Sequence, residues 1–592
     1  MIFLSKLKTI THEVDLCVVG GGLSGLCAAV SAARHGISVA IMQDRPMFGG
    51  NASSEIRMWL CGAQGENMRE TGICEEIAMD NFYRNPEKNY NLWDSVLFEK
   101  VYLEKNITML LNCSCMDAEM TGNNIVSVTG WQTTTQQFHK VYAKIFADCS
   151  GDSILAPLTN AEFRHGREAA AEFDESIAPE TTDTNTMGMS CLIQARETDE
   201  PSYYIPPVWA EKYNQQTLNR KPHLEHKGEN FWYLELGGTK NTIDDTESIR
   251  NELLSIAHGI WDYCKNDEAV SEQNRNWHLD WMGFLPGKRE SRRYVGDYIM
   301  TQNDVEAEGR FDDLIAYGGW GMDDHHPKAF RTDERPTIYH PAPSPYGIPY
   351  RSIYSKNIGN LMFAGRNISV THAALSSTRV MLTCSLLGQA LGTAASIAVK
   401  NSVSPREIYT KGYINELKQT LMDDDCYLPF NTRSTSELTK NAEIISACSD
   451  AQNLKNGIDR PIGENDNGCF VNFGQSVEYR FKKAENISEI RLVFDSDLNR
   501  ETLPQAEHKL HRDMIHNRPL SFVPSYVPKT MTRSYKIDAV LNDGSIKTIA
   551  EVKNNYHRLC RHKTDTVAVA VRFTPLSSWG SEKCHIFSFD VK

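Results

Sequence analysis

The chain runs to 592 residues, 41% of them hydrophobic, with 62 Lys and Arg against 76 Asp and Glu. That is enough apolar material for several packed cores, which excludes a mini-protein or a disordered tail, and a net charge of −14 speaks against a nucleic-acid partner. At about 150 residues per domain the length suggests four units, but α/β nucleotide-binding domains run larger, so two or three are expected.

The opening residues MIFLSKLKTITHEVDL hold a short apolar stretch with neither a long hydrophobic region nor a small-residue cleavage site, so no secretory signal is expected. No run of about 18 apolar residues is read as a membrane span. The 15 cysteines are scattered irregularly, several inside apolar segments such as Cys17, Cys27 and Cys384, which fits reduced thiols in a cytoplasmic protein.

The first informative stretch is Asp15-Leu-Cys-Val-Val-Gly20, an apolar run, followed by Gly20-Gly-Gly22-Leu23-Ser24-Gly25 and then a small-residue segment ending at Gly36. Strand, glycine turn and helix follow one another, and Ile37-Ser-Val-Ala-Ile-Met42 restores β-branched character, so 15–42 reads as one βαβ unit. The three glycines then differ in what they do. Gly20 permits the tight turn, Gly22 admits a pyrophosphate to the backbone, and Gly25 lets helix and strand pack closely. Where such a unit usually carries an acidic residue for a ribose hydroxyl, this chain has Gln43 followed by Asp44; either can accept.

Next comes Arg45-Pro-Met-Phe-Gly49-Gly50-Asn51-Ala-Ser53-Ser54-Glu55-Ile-Arg57, a sterically open loop rich in backbone donors. Here the sequence resembles the FAD-dependent oxidoreductases of the glutathione reductase-like superfamily, in particular a bacterial group carrying similar Gly-Gly-Asn-Ala-Ser-Ser-Glu segments. Two later segments extend the resemblance: Asp148-Cys-Ser-Gly151-Asp152, after an antiparallel excursion over 107–141, and Ala364-Gly365-Arg366, leading into Thr371-His372 and an apolar small-residue helix over 380–399. The resemblance implies an α/β fold: a Rossmann-like FAD-binding domain from 1–165 and 345–400 with an inserted α+β substrate domain at 166–344. A polar helical linker follows at 401–449, and from 450 to 592 short alternating strands, among them 476–481 and 487–494, read as a C-terminal β-sandwich, jelly-roll-like in strand pattern.

In the small-residue helix, positions 388, 392 and 395 lie about four apart, so one face can approach the sheet or the cofactor. The insertion shows strand-like runs at 187–194, 231–236 and 294–301 and an amphipathic helix at 247–265. Trp232, Trp261, Trp277, Trp281 and Trp320 fall there, most of them suited to core packing and some to lining a pocket. In the C-terminal region Trp579 alone offers an indole platform, and a structural or docking role is favoured for the domain.

A flavin site needs a cradle, a proton acceptor and fixed charges that orient the substrate. His372 is expected as the general base, with Arg57 and Arg379 as further active-site groups, and Glu55, Arg289 and Arg292 as substrate contacts; Arg289 and Arg292 belong to the basic segment Gly287-Lys-Arg-Glu-Ser-Arg-Arg-Tyr294. Asp323-Asp-His-His326 invites a metal, but no third or fourth ligand is spaced near it, and none is expected. Neither a second glycine fingerprint, a redox cysteine pair, a nucleophile elbow nor a P-loop is seen. The expected activity is hydride abstraction from a C–H bond of a small polar substrate, a sugar or hydroxy acid, onto flavin N5, with an unidentified electron acceptor. The alternatives are a reductase of an unsaturated carboxylic acid, if Arg57 and Arg379 both face a carboxylate, and a flavin-containing binding protein without turnover. A homo-oligomer is compatible with the sequence.

Overall fold

The computed structural model describes residues 7–224, 230–500, 514 and 517–592; the first six residues of the segment read for a leader lie outside them. The chain divides into two compact units, one of Met1–Gly62, Glu87–Leu417 and Arg512–Pro524, the other of Ala63–Pro86, Lys418–His511 and Ser525–Lys592.

The first unit is built on β1 (Thr9–Val19), α1 (Leu23–Arg34) and β2 (Val39–Met42). Leu16 to Val19 pair in parallel with Val39 to Met42, and Gly36, at φ +88°, ends the helix as its position suggests. Helix α2 (Tyr90–Tyr102) then returns the chain to β3 (Ile107–Leu110), which pairs in parallel with β2. The antiparallel excursion is therefore shorter than 107–141: a helical crossover delivers a parallel strand, and only β4 (Cys113–Thr121) and β5 (Asn124–Gln132) run antiparallel before β6 (Gln137–Asp148). The sheet order is β3-β2-β1-β6-β5-β4, and a short later strand at 361–363 joins β6 in parallel.

Within the insertion, α3 (Thr246–Asn266) buries Ile249, Leu253, Ile256 and Ile260, the spacing of one helical face, in a core with Tyr233, Trp261 and Trp277. Lys265, near its end, is buried because its ammonium donates to three carbonyls, those of Asn274, Arg275 and Trp277, at 2.8 to 2.9 Å. The expected strand at 294–301 is reduced to the pair Arg293–Tyr294. A hairpin of β7 (Met322–His325) and β8 (Thr337–His340) sets Tyr339 opposite Asp323. After β9 (Leu361–Phe363) come the short helix α4 (His372–Thr378) and α5 (Met381–Asn401).

A Cβ at Gly388 would lie 2.0 Å from Ser24 O and one at Gly392 2.2 Å from Ala28 O, so the small-residue face of α5 packs on α1 rather than on the sheet or a ligand. By length and composition α5 is apolar enough to cross a membrane, which corrects the reading that no such run exists, but its most apolar stretch is 94% buried inside the unit. No disulfide is formed among the described residues.

Among its described residues the second unit holds one seven-stranded antiparallel sheet. Its two longest strands, Val477–Phe494 and Leu559–Ser578, pair along most of their length with bulges that let them bend over the core. Trp579 is committed there: its Nε1 donates to Asn555 O at 2.8 Å and Arg533 lies over its ring.

Candidate active site

One cavity of about 830 Å³ in the first unit begins at the glycine turn. Gly20 has φ +102°, and its added Cβ would strike the Cys149 and Ser150 backbone at 2.5 Å. Gly25 is equally constrained, because a Cβ there would lie 1.9 Å from Gly20 O; it packs the helix and does not line the cavity. Gly22 differs, since its Cβ would meet nothing nearer than Gly50 Cα at 3.9 Å. The unfilled space is the cavity itself, lined by Gly20, Gly22, Leu23 and Ser24 at the N-terminus of α1, where backbone N–H groups have no partners within the helix.

Gln43, Asp44 and Arg45 form the next wall with Gly49, Gly50, Asn51 and Glu55. The Gln43 amide is largely used within the loop: Oε1 accepts from Gly21 N at 2.7 Å and Nε2 donates to Met47 O at 3.1 Å. Asp44 is the more exposed carboxylate, and Arg45 lies 3.6 Å from it and 3.7 Å from Glu55. Burial pushes the half-buried Glu55 carboxyl above its usual range despite that arginine. Asn51 Nδ2 donates to Lys288 O at 3.0 Å, tying the loop to the basic segment.

Opposite stand Gly151, Asp152, Gly365 and Arg366. Asp152 accepts from Lys288 Nζ at 2.7 Å and Arg366 Nη2 at 2.8 Å; burial opposes its ionisation, but the two cations outweigh it and hold the carboxyl below the usual range. Arg292 also lines this side, its Nη1 3.4 Å from Asp152 O. The N-terminus of α5 borders the cavity through Arg379, Val380 and Met381, a second helix end favouring negative charge.

The polar end is made by Arg289, Asp323, His325 and Arg379 with Trp232, Trp320 and Tyr339. In β7 alternate residues share a face, so Asp323 and His325 look into the cavity while Asp324 turns away. His325 Nδ1 lies 2.6 Å from Glu235 Oε2 and Nε2 3.2 Å from Asp323 Oδ2. Burial lowers its basicity, but Glu235 and Asp323 outweigh burial and raise it above an ordinary histidine.

Besides Gly25, five expected site residues lie elsewhere. His372 does not line the cavity; both ring nitrogens face carboxylates, Glu290 at 2.9 Å and Asp324 at 3.1 Å. These outweigh burial and push its pKa up to about 10, so at neutral pH it has no lone pair for a substrate proton, and its reading as general base is corrected. Arg57, at φ +61°, lies between the Tyr90 and Trp281 rings and bonds Gln194, away from the cavity. Asp148 is fully buried and accepts from Ser150, Leu155 and Tyr294, which fixes the turn after β6 rather than a ligand. Ser53 Oγ donates to Gly50 O, and Ser54 N donates to Asp94, so both shape the loop from behind.

Sequence reading missed Asp323, His325, Tyr339, Lys288 and Trp59, all of which line the cavity. The first two carried a signal in their i, i+2 spacing, read there as a weak metal motif; Trp59 carried none. Among the described residues no group of three or more His, Cys, Asp and Glu is arranged to hold a metal.

The lining suits a dinucleotide with a pyrophosphate. Six Lys and Arg (Arg45, Lys288, Arg289, Arg292, Arg366, Arg379) face four Asp and Glu (Asp44, Glu55, Asp152, Asp323), an excess of positive charge inside an acidic protein. Added to two helix N-termini and the open space at Gly22, this makes the unit a Rossmann-type FAD site, and the protein an FAD-dependent oxidoreductase. The chain belongs to the FAD dependent oxidoreductase family, whose profile matches residues 15–421.

No curated protein matches the sequence. Among solved structures the chain is similar to a geranylgeranyl bacteriochlorophyll reductase-like protein from Thermoplasma acidophilum, at 10% identity over 70% of this chain and 86% of that one, with a TM-score of 0.31. It is also similar to Thermovibrio ammonificans THI4, at 19% identity over 29% and 76% with a TM-score of 0.20. A third is the family 32 carbohydrate-binding module of Streptococcus pneumoniae EndoD, at 12% identity over 26% and 97% with a TM-score of 0.19.

Proposed function

We propose that this protein is a dehydrogenase of the glutathione reductase-like kind, acting on a sugar or hydroxy acid, with a β-sandwich C-terminal domain in a structural role. The observation that carries the reading is the single cavity joining the glycine turn to a buried polar end where His325, Arg289 and Arg379 converge. FAD, when bound, supplies a hydride acceptor at N5. The α1 N-terminus and Gly22, with Lys288 and Arg366 beside them, would hold the pyrophosphate, and Asp44 would take the ribose hydroxyls because the Gln43 amide is engaged in its own loop.

His325, which lines the cavity where His372 does not, takes the place of His372 as the group facing the substrate hydroxyl; it too is flanked by two carboxylates, so it accepts that proton only in its deprotonated fraction, which grows as pH rises. Its Nδ1 is fixed by Glu235, while the longer Asp323 contact at Nε2 is the one a substrate hydroxyl displaces. Because His325 must be neutral to accept a proton and its basicity is raised, oxidation is expected to speed up with rising pH through a midpoint above 6.5. His325→Gln is expected to abolish that limb and lower the rate by about 100-fold or more. Reduction of an unsaturated acid loses its structural basis, since Arg57 is not in the cavity.

The test is the visible spectrum of the FAD-loaded protein, recorded without oxygen before and after a panel of sugars and hydroxy acids. Bleaching by one compound supports dehydrogenation and gives the substrate class. Bound FAD that no compound on the panel reduces would instead favour a binding protein without turnover.

A further inference from the structure

With His325 neutral, as hydroxyl oxidation requires, the polar end of the cavity is balanced in charge. Arg289 lies 3.3 Å from Glu235 and Arg379 3.3 Å from Asp323, two cations against two carboxylates. The layer behind adds no call for an anion. There Arg164, Arg293 and His372 meet Glu168, Glu172, Glu290 and Asp324, with the buried Glu175 beside His372. A ligand carboxylate brought here would be desolvated with no unpaired cation to meet it. The hydrogen-bonding groups ask for something else. With its proton on Nδ1 toward Glu235, neutral His325 turns the Nε2 lone pair toward Asp323 Oδ2, 3.2 Å away, which sets two acceptors side by side. Next to them Trp320 Nε1 and Arg379 Nε are buried donors with no acceptor among the described residues.

The rest of this end is aromatic, and its rings are held in place. Strands β7 and β8 set Tyr339 opposite Asp323, so the two side chains share the face that looks into the cavity. The Tyr339 hydroxyl accepts from Gly321 N at 3.0 Å, and a Cβ at Gly321 would lie 2.2 Å from Cζ of the ring, so the ring lies against bare backbone. Trp320 stands edge-on to it, with ring centroids 6.4 Å apart. A ring fixed in these three ways is nonetheless 47% exposed. Trp232 is fixed likewise, with the Arg220 guanidinium 4.7 Å from its ring centroid and His325 edge-on at 5.4 Å.

We propose that this end of the cavity takes the ring of a neutral sugar, its C–H face against Tyr339 and two neighbouring hydroxyls among His325, Asp323, Trp320 and Arg379. The inference rests on the dehydrogenase reading and narrows its substrate to the sugar, excluding the hydroxy acid. Two neighbouring hydroxyls supply two donors for His325 Nε2 and Asp323, and lone pairs for the two orphaned N–H groups. A simple hydroxy acid has one hydroxyl, and its carboxylate only accepts. A pyranose also has an apolar face of C–H bonds inside its rim of hydroxyls, which matches an aromatic ring beside polar groups. Tyr339 is the specificity-determining residue, because its flat surface covers more of a closed ring than of an open chain.

The FAD-loaded protein is titrated without oxygen at about pH 8.5, which favours neutral His325. The probes are glucose, galactose and mannose, their open-chain polyols sorbitol, galactitol and mannitol, and the acids lactate and malate, followed by the flavin difference spectrum and the melting temperature. At least one sugar is expected to shift the flavin bands saturably and raise the melting temperature, and to bind about tenfold or more tightly than its own polyol and than either acid. Tyr339→Ala is expected to weaken that sugar about tenfold or more while leaving the polyol unchanged, with recovery in Tyr339→Phe, which keeps the ring. Trp320→Phe, which removes the indole N–H, is expected to weaken the sugar about three- to tenfold. Flavin absorbance per protein shows that each variant still holds its cofactor. Equal binding of sugar and polyol, perturbation by an acid alone, or a panel of sugars that moves neither signal overturns the proposal. A sugar that binds through Tyr339 without bleaching keeps the sugar site and removes the dehydrogenase reading. Bleaching by a hydroxy acid with no sugar bound does the reverse.

Discussion

A methyl group added at Gly25 would lie 1.9 Å from the Gly20 carbonyl oxygen, whereas at Gly22 it would project into open cavity. Gly25→Ala must push helix from strand and is expected to cost about 3 kcal/mol of stability, seen as a lower melting temperature with or without FAD. Gly22→Ala should melt like the parent as apoprotein yet bind FAD about tenfold or more weakly, measured by fluorescence titration. Equal effects in both assays would refute this division of labour. His372 makes a different residue-scale case. Its pKa of about 10 exceeds the ordinary 6.5, so its contribution is complete below 6.5 and is lost as pH rises through 10. The parent should lose melting temperature over that window. His372→Ala, which leaves the half-buried Asp324 without this cation and the buried Glu290 with Arg293 alone, should cost about 3 kcal/mol at pH 7 and flatten that alkaline decline. The sequence makes the histidine visible but not its partners, 82 and 48 residues away, and those partners turn a plausible base into a fixed cation.

Whole elements were legible where apolar periodicity is local. The glycine-flanked run at 15–42 needs only neighbouring residues to read as βαβ, and it does so in the structure. The strand Val477–Phe494 does not, because Lys482-Lys-Ala-Glu485 interrupts its apolar alternation and reads as a loop; in the sheet those residues are the exposed middle of one long bent strand. The same limit applied to α5, whose small-residue stripe signals close approach without naming the partner. That partner is α1, so α5 sets the position of the helix end that meets the cofactor. Gly388→Ala places a methyl 2.0 Å from Ser24 O and should lower stability by about 1–3 kcal/mol while shedding FAD, because Leu23 and Ser24 line the cavity. Lys400→Ala, at the exposed end of α5, should change neither absorbance nor melting.

At the scale of the whole chain, strand pattern suggests a separable domain beginning at 450, but the core of the second unit is assembled from distant segments. Helix Ile73–Arg84 contributes Ala78, Met79 and Phe82 to the same cluster as Tyr479, Leu492 and Phe589. Nothing in the helix's own sequence names that destination; its apolar residues would serve any core. The segment before 450 is as deeply engaged: Arg433 pairs with the fully buried Asp590 at 2.9 Å, Asp425 with Arg558 at 2.8 Å, and Arg491 donates to Asp423 O at 2.8 Å. A fragment of 450–592 would bury Asp590 and Arg558 without these partners and leave the places of Met79 and Phe82 empty. Each buried ion left unpaired costs about 3–5 kcal/mol and each large apolar side chain removed about 2–5, more than a domain of this size has to spare. The fragment should therefore be insoluble or show no cooperative melt by circular dichroism. A fragment of 418–592 supplied with a peptide of 63–86 restores both sets of contacts and should melt cooperatively. If 450–592 alone unfolds in one sharp transition, the second unit is the autonomous module that its strand pattern suggests, and the inserted helix is an accessory to it.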